Sequence, residues 1–295
     1  MGGTPGAFGY NNLAPSLRIP DFELYSSEGL HSAIGPLRSE FYRIGLTVRG
    51  HCDVQLGLEH YIHQAGTVNC TIPNQLFSKS NISADIFGYY VLFNPGFLDD
   101  LIPDNRIPEE FPFFSYSGVP FFQLEPATVN QVESLLLKIN EELQAGKPDH
   151  AKAIRLYLYL ILLELKRSYQ EQHPGAYAGI PEATVLLIKF RKLVNQHYLE
   201  KRHVADYANM LYVTPNHLNR TIKEASGRTA SSYITEMIVQ EARALLRSTD
   251  LSVGEIAYRL HFSEPSSFNR FFRKEMRLTP LDYRAEGGGA TLTNA

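Results

Sequence analysis

The sequence predicts an α+β protein of two domains, an antiparallel β-barrel with two appended helices followed by an all-α domain. Three observations lead there. A chain of 295 residues is longer than one ordinary domain and fits two comfortably. Its texture changes from strand-like to helical near residue 128. Two stretches near the C-terminus repeat each other at an offset of fifty residues.

Between residues 41 and 93, short runs rich in Val, Ile, Tyr and Phe are interrupted by Gly45, Gly50, Gly57, Gly66, Asn69, Asn74 and Gly88. Several short strands closely spaced by turn signals argue for a small antiparallel barrel or sandwich. Residues 111–124 are expected to add one or two more strands. From 128 to 144, Val129, Val132, Leu135, Leu136, Ile139 and Leu143 recur at helical intervals and define one apolar face, which Gly146 and Pro148 end. A second helix over 150–170 is apolar nearly all round at its centre, so it must be buried on more than one side, against the barrel or a second subunit. Its apolar run, residues 156–163, is far short of the ~20 residues that span a bilayer. The breaker-rich stretch 173–181 marks a linker between a regulatory and dimerising domain (1–172) and a helical domain (182–286). Residues 287–295 read as a loose tail.

The net charge of −3 hides an asymmetry. Residues 181–295 carry 16 Lys and Arg against 12 Asp and Glu, whereas the first 180 carry 12 against 19. A basic C-terminal part on an acidic body suits contact with a polyanion through that part alone. Cys52 and Cys70 stand apart from any CxxC or Cys/His cluster, which fits free thiols in a cytoplasmic protein. Residues 1–10 are Gly-rich, with neither a basic start nor an apolar stretch, so no secretory signal is expected. No nucleophile elbow, phosphate-binding Gly-rich loop, paired carboxylates or zinc cluster suggests an enzyme, and no catalytic residue, metal or cofactor is expected.

In the repeat, residues 218–223 (LNRTIK) are echoed by 268–273 (FNRFFR), Thr229 by Thr279 and Tyr233 by Tyr283. Just upstream the offset is 49, pairing Ala208 with Ala257, Leu211 with Leu260, Val213 with Phe262 and Thr214 with Ser263. Each copy has the parts of a helix-turn-helix. In the first, Thr214 as N-cap and Pro215 as first helical residue restart the chain. Leu218, Ile222 and Ala225 then face inward, leaving Asn216, Asn219, Arg220 and Lys223 outside. Gly227 ends that helix. In the second, Ser263 is expected to cap, Phe268, Phe271 and Phe272 to fill the core, and Ser266, Ser267, Asn269, Arg270, Arg273 and Lys274 to stay outside. Asn and Arg match adenine and guanine edges in the major groove, while Lys and Arg further along suit phosphates. The helix between the copies, about 18 residues, spans ~26 Å and can hold two such helices roughly one duplex turn apart.

At these residues the sequence closely resembles the AraC/XylS family of transcription regulators. The resemblance covers residues 181–284 and is most specific at 256–263 (IAYRLHFS), 267–273 (SFNRFFR) and 278–284 (LTPLDYR). It implies two helix-turn-helix units joined by a linker helix, binding double-stranded DNA, more often to activate transcription, with a contact to RNA polymerase. By position, base reading would fall on Asn216, Asn219, Arg220, Pro265, Ser266, Ser267 and Arg270, and phosphate contact on Thr214, Lys223, Ser263, Arg273 and Lys274. Three departures stand out. Ile238 replaces a usual basic residue on the linker helix, and His261 and Arg277 replace usual glycines. A non-Gly residue at a left-handed position costs ~1 kcal/mol.

The strand-then-helix order of the first domain looks like the family's cupin-like regulatory domain, which implies an effector in the barrel and a homodimer through the helices at 128–170. Arg38, Tyr42 and Arg43 open the first clear strand, and Arg38 could pair with an acidic effector; the alternative is that the aromatics fill a core and the arginines face water. His60 and His63 with Glu59 have the wrong spacing for a metal cupin, because alternation on a strand sends the two histidines to opposite faces.

Overall fold

Two antiparallel sheets form, and the central strands of the larger one are buried on both faces, Thr67–Thr71 at every position. In this computed structural model, which describes residues 8–11, 13–28, 32–102, 106–116, 118–173 and 182–287, nine strands form within the described residues. They are β1 (Phe22–Ser26), β2 (Ile34–Leu37), β3 (Tyr42–Arg49), β4 (His51–Leu56), β5 (Glu59–Gln64), β6 (Thr67–Thr71), β7 (Phe77–Ser80), β8 (Phe87–Phe93) and β9 (Phe121–Gln123). One sheet runs β1-β8-β3-β6-β9 and the other β2-β7-β4-β5. The strand-like window 41–93 supplies β3 to β8, and β1 and β2 precede it. Of residues 111–124 only β9 is a strand. Ile107–Glu110 forms a short helix, α1, and Pro112–Phe114 a 3-10 turn, because proline early in a turn favours a helical start.

On β3, Tyr42, Ile44 and Leu46 share a buried core with Val91 and Phe93 of β8 and with two helices, α2 (Pro126–Ala145) and α3 (His150–Gln172). α2 buries Val132, Leu136, Ile139 and Leu143, and ends at Gly146, whose φ of 55° is left-handed. α3 buries Ile154, Leu158, Ile161, Leu162 and Leu165 on one side. Its other side is open. Leu156 and Leu160, one helical turn apart, are 46% and 45% exposed, with Leu137 of α2 at 48%.

Of the expected linker, residues 174–181 lie outside the described part, as do the tail residues 288–295. The second unit comprises α4 (Glu182–His197), α5 (Val204–Met210), α6 (Pro215–Ser226), α7 (Ala230–Ser248), α8 (Val253–Arg259), α9 (Pro265–Met276) and α10 (Pro280–Gly287). α7 joins two separate cores. Its first half gives Ala230, Ile234, Met237 and Ile238 to one, with Leu218 and Ile222 of α6. Its second half gives Ala242, Leu245 and Leu246 to the other, with Phe268 and Phe272 of α9. Leu58, in the turn between β4 and β5, is 2% exposed inside the first of these cores.

Polar contacts close the seam between barrel and helices. Arg38 Nε donates to Glu241 Oε2 at 2.6 Å, its Nη1 donates to the Asn74 carbonyl and to Asn195 Oδ1, and the guanidinium lies 5.0 Å from the centre of the Tyr198 ring. Arg191 Nη2 donates to Glu59 Oε1 at 3.1 Å, and Asn195 Nδ2 to Tyr116 Oη at 2.9 Å. A cleft of about 450 Å³ opens here between Tyr61 and Tyr116 on one side and Arg191 and Tyr233 on the other.

Candidate nucleic-acid interface

Both helical modules turn on the same backbone device. Tyr212 and His261, 49 residues apart, each have φ of 57°. The next N–H reaches back to the last small residue of the preceding helix, Val213 to the Ala208 carbonyl at 3.0 Å and Phe262 to that of Ala257 at 2.9 Å. Ala208 and Ala257 are fully buried, where a larger side chain would push the helices apart. A left-handed non-glycine residue costs about 1 kcal/mol, so the tight turn is held by packing on both sides of it. Arg202 ties the modules together. It donates to the Leu260 carbonyl and stacks 4.2 Å from the Phe262 ring centre.

On α6, Thr214 Oγ1 accepts the His217 N–H at 3.2 Å, which makes Thr214 the N-cap with Pro215 following. Leu218, Thr221 and Ile222 are buried. Ala225, expected inside, is exposed, and Thr221 takes the inner position. Asn216, His217, Arg220 and Lys223 are exposed. Asn219 is half-buried, and its Oδ1 accepts the Ala230 N–H at 3.0 Å. It therefore begins α7, and Asn216 and Arg220 remain as the fully exposed base-facing candidates on this helix.

The second module differs at its cap. Ser263 was expected to cap α9, but the N-cap is Glu264, with no side-chain cap bond. The cause is the change of offset from 49 to 50: one added residue, Glu264, stands between Ser263 and Pro265, whereas Thr214 abuts Pro215. Ser263 is exposed, and Ser266 Oγ donates to Glu264 Oε2 at 3.1 Å. Phe268 and Phe272 are buried, Phe271 half-buried; Pro265 and Ser267 are half-buried. Ser266, Asn269, Arg270, Arg273 and Lys274 are exposed. Asn269 corresponds to Asn219, but the residue matching Ala230 is Pro280, which offers no N–H to cap.

Arg277 ends α9 with φ of 63°, the counterpart of Gly227 with φ of 72°. The left-handed residue costs stability yet adds a cation. Arg270, Arg273, Lys274 and Arg277 together line an open surface hollow. Among these four, the described residues provide one ion pair, Lys274 with Glu275 at 3.4 Å, and Lys274 remains 81% exposed. Such a cluster attracts phosphate. Arg277, His217 and Asn269 were not among the site residues expected from sequence. The offset of fifty that pairs Arg277 with Gly227 was the signal for the first of them.

The residues proposed for an effector do not converge. Arg38 is held by Glu241 and Asn195 at the seam. Tyr42 lies on the helix-facing side of its sheet, stacked 5.3 Å from Phe93 and tilted against Phe114 at 4.8 Å. Arg43, next along β3, points to the opposite sheet, 4.3 Å from the Phe77 ring centre. His60 is exposed while His63 is buried, so the two face apart. Cys52 and Cys70 are both free and buried. Burial raises both thiols above their ordinary range.

Two family patterns match the chain, the AraC-like ligand binding domain over residues 19–161 and a helix-turn-helix domain over residues 207–286. The chain belongs to the AraC family of transcription regulators. Among curated relatives, the HTH-type transcriptional activator RhaS of Enterobacter sp. (strain 638) is 28% identical over 171 residues, which is 58% of this chain and 59% of that protein. The match thus spans under two thirds of the relative's length. An apo ToxT variant from Vibrio cholerae strain SCE256 is 14% identical over 90% of this chain and 98% of its own, with a TM-score of 0.48. The C-terminal domain of AraT from Geobacillus stearothermophilus is 27% identical over 37% of this chain and 91% of its own, with a TM-score of 0.35. Among the described residues, no helix of this AraC-family chain is long and apolar enough to cross a membrane.

Proposed function

We propose that this chain regulates transcription, more often as an activator, by laying α6 and α9 into successive major-groove segments of one face of a DNA duplex. The observation that carries the reading is the pairing of two like helices, each begun by proline, at the two ends of the single helix α7. A linker of 19 residues, roughly 28 Å of rigid helix, suits two helices spaced by about one duplex turn. Asn216, Arg220 and Arg270, with Pro265, Ser266 and Ser267 at the start of α9, read bases. Thr214, Lys223, Ser263, Arg273, Lys274 and Arg277 hold phosphates. The barrel takes a small effector, in keeping with its match to a ligand-binding family. The face of α3 that exposes Leu156 and Leu160 pairs with a second copy, and the active regulator, cytoplasmic and without catalysis of its own, touches RNA polymerase.

The test is selection of bound duplexes from a random pool by the full-length chain, followed by anisotropy of the selected duplex against salt. The reading expects a preferred sequence and affinity that falls steeply with salt. Absence of duplex binding at 50 mM salt overturns it. For the dimer, a Leu156→Asp, Leu160→Asp chain should sediment as a monomer where the natural chain is a dimer. A natural chain that is monomeric at tens of micromolar removes that part.

A further inference from the structure

The interior of the barrel, between its two sheets, holds two cations, Lys79 and Arg43. Its lining is fixed by contacts across the gap. Lys79 Nζ on β7 donates to Tyr90 Oη on β8 at 2.5 Å, Arg43 on β3 lies over Phe77 on β7, Thr47 Oγ1 is 3.2 Å from His63 Nδ1, and the Tyr61 and Phe121 rings stack at 4.9 Å. Two more residues face the same space by register. Thr71 pairs with Arg43 and Asn69 with Gly45 on the neighbouring strand, and residues directly opposite share a face.

This space is polar but incompletely satisfied. Lys79 is 3% exposed, and its side chain has a phenol and the buried Cys52 thiol for partners. Arg43 has a ring. Neither cation forms an ion pair within 4.0 Å among the described residues; the charge of Glu23, on the edge strand β1, reaches Arg43. Three buried polar atoms in the same space have no hydrogen-bond partner, namely Asn69 Nδ2, Thr71 Oγ1 and His63 Nε2. They are half of the six such side-chain atoms in the described residues, the others being spread over Ser27 and the seam arginines Arg38 and Arg191. Gly45 makes the arrangement fit: a Cβ there would come 2.3 Å from Asn69 Oδ1, so only glycine lets that amide lie across β3. Buried cations and unpaired donors are retained in proteins when something else completes them.

We infer that the effector of this barrel is a small organic carboxylate, its charged end held between Lys79 and Arg43 with Asn69 and Thr71 donating to it, and its apolar body against Phe77, Tyr61 and Phe121. The inference rests on reading the first domain as an effector-binding barrel. A neutral polyol would leave Lys79 without a counter-charge and Arg43 with the charge of Glu23 alone; a carboxylate supplies both the charge and about four acceptor lone pairs.

Thermal melting of the full-length chain tests this, with acetate, butyrate, hexanoate and benzoate at 20 mM against the matching amides at equal ionic strength. At least one carboxylate should raise the barrel's melting temperature by about 3 °C, its amide should not, and Lys79→Met should abolish the gain. Lys79→Met trades a charge for a chain of similar length; if it fails to fold, Arg43→Met serves. Stabilisation by the amides as well, or persisting in the variants, overturns the anionic class while leaving an effector barrel. Absence of any carboxylate effect, with neutral sugars stabilising the natural chain, does the same. Absence of any effect from all three sets overturns the class and counts against the effector reading together.

Discussion

Arg38 Nε and Glu241 Oε2 stand 2.6 Å apart, joining the residue that follows β2 of the barrel to α7. Glu241 lies between Ile238, the last α7 residue in the first module's core, and Ala242, the first in the second. The bridge therefore grips the linker helix where the two reading modules divide.

Because both side chains are largely buried, at 18% and 15% exposure, removing Glu241 leaves the guanidinium with neutral partners only, Asn74, Asn195 and Tyr198. Glu241→Ala should cost about 2 kcal/mol and raise amide exchange in β2 and the middle of α7. The double change Arg38→Met, Glu241→Leu should recover much of the loss, because no lone charge is left behind. Unchanged exchange in α7 would show that the bridge does not hold the helix.

Asn219 and Asn269 should part company. Asn219→Ala removes the acceptor for the Ala230 N–H, with an expected loss of about 1 kcal/mol as for other helix-cap deletions and a sequence-independent weakening of DNA binding. Asn269→Ala should leave the melting temperature unchanged. Paired melts and binding curves decide; equal stability losses would contradict the different roles.

Arg270→Ala should weaken binding and relax preference at one base position by about 1–3 kcal/mol. Lys223→Ala should weaken all sequences alike and lower the salt slope by about one. Losses from both that ignore sequence would take Arg270 out of the base-reading set.

His63 gives a pH signature. Burial, with the neighbouring charge of Lys79 second, pushes it from 6.5 down to about 3. The unfolded chain then binds a proton between those values that the folded one does not. Stability from this group is full above pH 6.5 and lost as pH falls toward 3, at up to about 1.4 kcal/mol per pH unit. Urea denaturation at pH 7.5, 6.5 and 5.5 should show a steeper decline for the natural chain than for His63→Asn. Parallel curves would mean that His63 protonates as freely in the fold as outside it.

The parts legible in the sequence were those carried by period or repeat. The helices α2 and α3, the paired modules and the Thr214 cap all follow from spacing within a few residues. β2 lies ahead of the strand-rich window and is a short edge strand that contains Gly35 and Pro36, residues an edge tolerates. Asn219 looked outward-facing by helical period alone, since its partner Ala230 sits eleven residues on in the next helix. The cap on α9 moved because the inserted Glu264, visible as the change of offset from 49 to 50, stands directly before Pro265 and takes the N-cap position from Ser263. Arg38 is an effector candidate by sequence, but its partner Glu241 is 203 residues away, beyond any local pattern.

Leu58 is a residue of the barrel by chain order and of the first reading module by packing. A gene cut at the linker would hand the helical half an apolar notch with its plug missing, and hand the barrel half a leucine thrust into water. Either product would be sticky in the cell. Recombination that swaps barrels among such chains must also supply a residue for that socket, so the socket acts as a compatibility key between sensor and reader.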